Sequence, residues 1–188
     1  MKLFRTIEIA TNDGYKVGDV IAFALNDGEE VEALAVKQEL DGTIFCLVDC
    51  LIGERSMSSV YPNCNGYEYS ALREALNTKI LSRFPSEIRE KMVAFETGDL
   101  LRLPTEREIF GRNRAGKEEP NDVVQWKPMR DCRHRIAFQG SKTEIRVWYW
   151  LQNQVFDCAS GFAAVGYGGS PDYSAASNPH GVRPVFKI

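Results

Sequence analysis

Two glycine turns govern what the first third of this chain can become. From Gly18 to Ile52 it reads GDVIAFAL, NDGE, EVEALAVKQEL, DG and TIFCLVDCLI. Asn26-Asp27-Gly28 and Asp41-Gly42 are residue types that accept the positive φ of a tight hairpin. The runs between them are apolar and rich in Val, Ile and Phe, as strands require. Three such runs, separated only by tight turns, imply an antiparallel meander. LFRTIEIA (Leu3 to Ala10) reads as a strand before it.

The pattern then changes period. After a polar loop over 53–67, SALREALNTKILSRF places Leu72, Leu76 and Ile80 at i, i+4 and i+8, the spacing of one helix face. Ser70 is the expected N-cap. PSEIREKMVAF reads as a shorter helix with Ser86 as N-cap and Glu87 in its first turn. DLLRLP reads as a strand, and Thr105 with Glu108 forms a capping box for EREIFG.

Residues 111–125, GRNRAGKEEPNDVVQ, form a charged loop long enough to be either functional or disordered. TEIRVWYWLQ, GFAAVGY and GVRPVFKI read as further strands. Pro184 places the last at an edge or bulge. Strands, then helices, then strands give an α+β domain with antiparallel sheets. A chain of 188 residues favours one domain over 1–188. Its parts are the meander (1–52), a helical part (69–111), and a loop and C-terminal sheet part (112–188).

Charge and cysteine usage restrict function. A net charge of −3 argues against a surface built wholly for nucleic acid. Arg130, Arg133 and Arg135 around His134, with Arg146, could still form an anion patch. The favoured reading pairs them instead with this protein's own acidic loops, with Arg133 and Arg135 on one strand face. No apolar run is long enough to span a bilayer, and MKLFRTIEIATNDGYK lacks a signal-peptide core. The expected location is the cytoplasm, or a virion assembled there. The five cysteines Cys46, Cys50, Cys64, Cys132 and Cys158 are an odd set without CxxC spacing, expected as free, buried thiols. Along one strand Cys46 and Cys50 would lie roughly 13 Å apart, too far for a disulfide.

Motifs for nucleophilic hydrolysis, nucleotide binding, zinc peptidase chemistry and EF-hand calcium are missing. GYGG (Gly166 to Gly169) precedes no helix, so it reads as a turn and not a phosphate cradle. EEPND (Glu118 to Asp122) contains the Glu-Pro-Asn of calcium-dependent lectins, but the matching Trp-Asn-Asp run is missing, which argues against calcium. Trp148 and Trp150 share one strand face and Tyr149 takes the other; the indoles serve either as core or as a stacking platform. His180 is a loop anchor or a ligand contact, with no paired carboxylate or nucleophile visible in the sequence.

The ordered set GDVIAF, YSALREALN, GDLLRLPTEREIFG, VWYWLQN and GFAAVGYGGSPDYSAASNPHGVRPVFKI resembles an uncharacterised domain family of gut Firmicutes and their phages. The matches extend over nearly the whole chain. That family is similar to the C-type-lectin-like fold, in the branch of formylglycine-generating enzymes and retroelement variable proteins. The resemblance implies a single lectin-like domain with two main helices, long loops on one side, and Leu3–Ile9 paired with Val182–Ile188. It implies Arg183 as a buried structural anchor; Trp150 is expected as a structural residue from its place in the aromatic strand.

The chain departs from the enzymes at their copper site. Only Cys158 lies in the stretch where they carry two cysteines spaced C-x-x-x-x-C, so the soft ligands for copper and oxidase activity are lacking. QNQV also stands where the family has RSPG. The resemblance therefore implies a non-enzymatic ligand-binding module for a protein or glycan, of phage or mobile-element surface-recognition type. Its ligand surface would draw on Gln152, Asn153, Asp157, Tyr167, Asp172, Tyr173, Ser174, Asn178 and His180, residue types suited to adaptable recognition. The alternatives are a formylglycine-type oxidase relative, or a nucleic-acid-binding or inhibitory accessory protein using the arginines.

Overall fold

The computed structural model describes residues 14–58 and 66–188. The meander forms β1 (Val20–Ala24), β2 (Glu30–Glu39) and β3 (Gly42–Leu47), paired antiparallel in sequence order. Gly28 takes φ 86° at the first turn, where its N–H donates to Leu25 C=O; an L-side chain would be strained there. The sequence LFRTIEIA, with its expected pairing to the C-terminal strand, lies outside the described residues.

Ser70 caps α1 (Ala71–Ala75), its side chain accepting from Arg73 N–H. The helical course continues through a π turn, Leu76–Ile80, and a 3-10 turn, Leu81–Arg83. Asn77 stitches this course to the following segment: its Oδ1 accepts from Leu100 and Leu101 N–H, and its Nδ2 donates to Leu101 C=O. The second helix is one turn, α2 (Ser86–Arg89). Pro85 occupies its cap position and Ser86 is already helical, contrary to expectation. A proline at that junction makes the extended-to-helical transition by itself.

DLLRLP is not a strand; only Arg102 bridges to Val185. The capping box forms as expected at α3 (Glu106–Phe110). RDCRHR forms a 3-10 turn, Cys132–Arg135, rather than a strand, because Asp131 accepts from Arg133 N–H and caps it.

Six short strands complete the molecule: β4 (Ala137–Phe138), β5 (Arg146–Val147), β6 (Tyr149–Gln154), β7 (Gly161–Val165), β8 (Pro171–Ala175) and β9 (Val185–Lys187). They form a four-stranded sheet β1-β2-β3-β9, a two-stranded sheet β4-β5 and a three-stranded sheet β6-β7-β8. β9 begins after Pro184 and pairs antiparallel with β3. Its other edge takes backbone bonds from Arg102 and Val93.

Alternation divides the strands between two cores. Ala33, Ala35, Phe45, Leu47, Phe186, Trp150 and Phe162 face Leu72, Leu76, Ile80 and Phe84. Leu34, Val36, Ile44, Cys46, Val185, Tyr149 and Leu151 face Ile109, Trp126 and Met129. The major strands are therefore apolar on both faces. The result is a mixed α/β fold with antiparallel sheets and few helices. Among the described residues, no helix is long and apolar enough to cross a membrane.

Candidate functional site

The segment GSPDYSAASNPH is not the loop its composition suggests. Its first half is β8, an edge strand paired with β7 from Val165↔Pro171 to Gly161↔Ala175. GYGG is the hairpin turn between them, closed by Gly169 N–H to Gly166 C=O. The register aligns Trp150, Ala164 and Asp172 across one face and sends Tyr173 to the other. Ser174 accepts from Asn178 Nδ2 at 2.9 Å, bracing the turn after β8.

His180 sits where these elements converge. Its backbone exchanges two hydrogen bonds with Arg55. Its ring stacks on Trp148, with centroids 5.5 Å apart, and meets Trp150 edgewise at 4.6 Å. Tyr167 packs edgewise on Trp148 at 5.9 Å. Trp150 is buried and donates its indole N–H to Arg55 C=O, whereas Trp148 Nε1 and His180 Nε2 are buried without a partner. Burial pushes the His180 imidazole below its usual value, opposed by the charge of Asp172, so the ring is neutral at pH 7. Tyr167 lies beside this arrangement 59% exposed, whereas Tyr173, 60% exposed, is on the opposite face of β8.

The other expected site residues lie elsewhere. Gln152 and Asn153 are on β6, but Gln152 serves the segment before α3, and Asn153 serves α3 and the charged loop. Gln152 Nε2 donates to Leu103 C=O. Asn153 Oδ1 accepts from Glu106 N–H at 2.8 Å, and its Nδ2 donates to Glu119 Oε1 at 2.7 Å. Asp157 is exposed in the turn between β6 and β7. The structure thus gathers Tyr167, Asp172 and His180 around Trp148 and Trp150, and leaves Gln152, Asn153 and Asp157 apart.

Sequence reasoning missed Glu106, which orders the charged loop. Its fully buried carboxylate accepts from the N–H groups of Arg114, Ala115 and Gly116 at 3.1, 3.0 and 2.9 Å. A Cβ on Gly116 would overlap the Asn153 side chain, so only glycine lets the loop close onto β6. The available signal was a second glutamate inside a capping-box sequence, where one suffices for the cap. Glu119 in EEPND accepts from Arg107 N–H, Asn113 Nδ2 and Asn153 Nδ2 through Oε1. Its Oε2 is buried without a partner. Among the described residues, no group of three or more His, Cys, Asp or Glu side chains is placed to hold a metal.

This loop forms one wall of a surface cleft. A depression of about 360 Å³ lies between Lys117–Pro120 and Gln152–Gln154. It shares Tyr67, Glu68, Thr105 and Gln152 with a larger groove of about 840 Å³ that reaches Phe95 and the β2–β3 turn.

Arg183 is buried and donates to Leu47 C=O at 2.6 Å and to Tyr149 Oη at 3.1 Å. Of the four arginines expected as an anion patch, Arg130 and Arg146 are exposed and the other two are engaged. Arg133 forks onto Asp131, and Arg135 donates to the Gly169 and Met129 carbonyls. Cys46 and Cys50 are buried, and burial pushes both thiols up. Cys132 and Cys158 are exposed, contrary to expectation: each falls in a turn rather than a strand. The Ser160 hydrogen bond pulls the Cys158 thiol down. Cys64 lies outside the described residues. No protein-family model matches the chain, and neither the curated proteins nor the solved structures yield a match.

Proposed function

We propose that this chain is a non-enzymatic ligand-binding module of lectin-like architecture, recognising its ligand through the surface around Tyr167, Asp172 and His180. The observation that carries the reading is the stacked Trp148–His180 pair, with two buried, unpartnered ring nitrogens beside exposed Tyr167. Unpaired buried polar groups are costly and uncommon. An indole N–H donates, and a neutral imidazole nitrogen can accept. A hydroxyl or ordered water meets both needs, because it accepts and donates through one oxygen. Tyr167 adds a broad face at low entropic cost. A hydroxyl-bearing ligand such as a glycan fits this combination.

The test is a glycan-array screen with the parent chain and a Tyr167→Ala variant. The side chain is exposed, so the variant should keep the parent melting temperature. Binding that disappears in the variant supports the assignment. Binding unchanged by it refutes the site.

A further inference from the structure

The cleft under the charged loop is independent of the His180 surface, and its chemistry points to a different partner. We infer that this cleft is a docking site for a basic, extended peptide segment, with a lysine or arginine head held among Glu68, Glu118 and Glu119.

The charge arrangement is the first argument. In the larger groove every cation is neutralised in place: Lys37 by Glu39, Lys187 by Asp41, Arg73 by Asp99 and Arg102 by Glu108. In the smaller depression the balance fails. Among the described residues, Glu68, Glu118 and Glu119 line it with Lys117 as the one cation. Lys117 Nζ donates to Gln154 Oε1. Among the described residues, none of these four charged groups forms an ion pair. Unmatched acids on one wall of a concave surface favour a cationic visitor.

A second, independent feature is the buried Oε2 of Glu119. Its sister oxygen is saturated by three N–H donors, while Oε2 has none. An ammonium or guanidinium supplies donors and no acceptor, which is what that oxygen lacks. The shape agrees with a chain rather than a small ion. The depression runs on into the groove through Tyr67, Thr105 and Gln152, and the groove offers Phe95 and Val123 as apolar surface. Lys and Arg stems lie well along such surface while their heads reach charge.

The experiment measures fluorescence anisotropy of a labelled lysine–glycine pentapeptide, and of its glutamine–glycine counterpart, against the full chain. The variant is Glu68→Gln with Glu118→Gln. Both residues are exposed and neither holds the loop, so its thermal melting should match the parent. We expect the lysine peptide to bind, to weaken with added salt, and to lose about fivefold or more in the double variant. Amide NMR should shift the Gln152 side chain and leave the Trp148 indole N–H in place. Equal binding of both peptides, no binding, or an unchanged affinity in the variant would overturn the inference. A peptide that shifts Trp148 and spares Gln152 would also overturn it, and would assign the peptide to the His180 surface instead.

Discussion

Replacing Glu106 with alanine should unfasten the charged loop and destabilise the protein measurably. The carboxylate is fully buried and holds the N–H groups of Arg114, Ala115 and Gly116, with Asn113 Nδ2 more distant at 3.4 Å. Hydrogen bonds to a charged group contribute about 1.5–3 kcal/mol each, and a stranded buried donor costs about 1–3 kcal/mol. Arg114 is exposed and Ala115 partly so, and their amides can turn to water. Gly116 is buried against Asn153 and cannot. Allowing for that relaxation, the loss is about 3–5 kcal/mol, the scale of breaking a buried charged interaction. Against a typical stability of about 5–15 kcal/mol that is a large share, equivalent to roughly 10 °C of melting temperature. Glu106→Gln keeps one acceptor oxygen and should fall between the alanine variant and the parent. Urea unfolding gives the magnitude, and hydrogen exchange at residues 114–116 gives the place. An alanine variant within about 1 kcal/mol of the parent, or with those amides still protected, would refute the role assigned to Glu106.

Three further outcomes are expected. Thr105→Ala should cost about 1 kcal/mol as a lost N-cap, whereas Glu108→Ala should cost about 3–5 kcal/mol because it also unpairs the nearly buried Arg102; equal losses in urea unfolding would contradict this. Tyr149→Phe removes an acceptor for Arg183 and a donor to Arg135 C=O, for a loss of about 1.5–3 kcal/mol, and an unchanged unfolding midpoint would argue against it. The His180 imidazole is pushed down by burial, so the unfolded chain binds the proton more readily. Stability present above about pH 6.5 is therefore lost as pH falls toward the lower folded value. Melting curves from pH 7 to 5 should show that slope in the parent and less of it in His180→Phe; identical slopes would remove His180 as the cause.

Much of the local architecture was written in single residues. Asn26-Asp27-Gly28 and Asp41-Gly42 set the meander, because a positive φ and a two-residue return are properties of the turn itself. Ser70 and the Thr105–Glu108 box set two helix starts, because a cap is satisfied within three residues. The Leu72, Leu76, Ile80 stripe named the helix face that meets the sheet. These signals are local, so no distant contact had to be known. Elsewhere, distant partners decided. PDYSA has little strand propensity and becomes β8 because β7 presents an unpaired edge beside it. Pro85 displaces Ser86 from the cap, and Arg102 touches β9 without making DLLRLP a strand. The charged loop could be read as functional or disordered until Glu106, from a helix nearby in sequence, was seen to gather three of its amides against Asn153 of β6. The nine residues proposed for one surface separate for the same reason. Tyr167 and His180 meet because hairpin and bridge pairings bring them to Trp148, while Gln152 and Asn153, only a few positions along β6, are taken by the segment before α3, by α3 and by the loop. Residue type and turn chemistry are carried by the sequence alone. Which polar groups are left without partners, and so which surfaces can bind, depends on pairings between distant strands that only the folded chain makes.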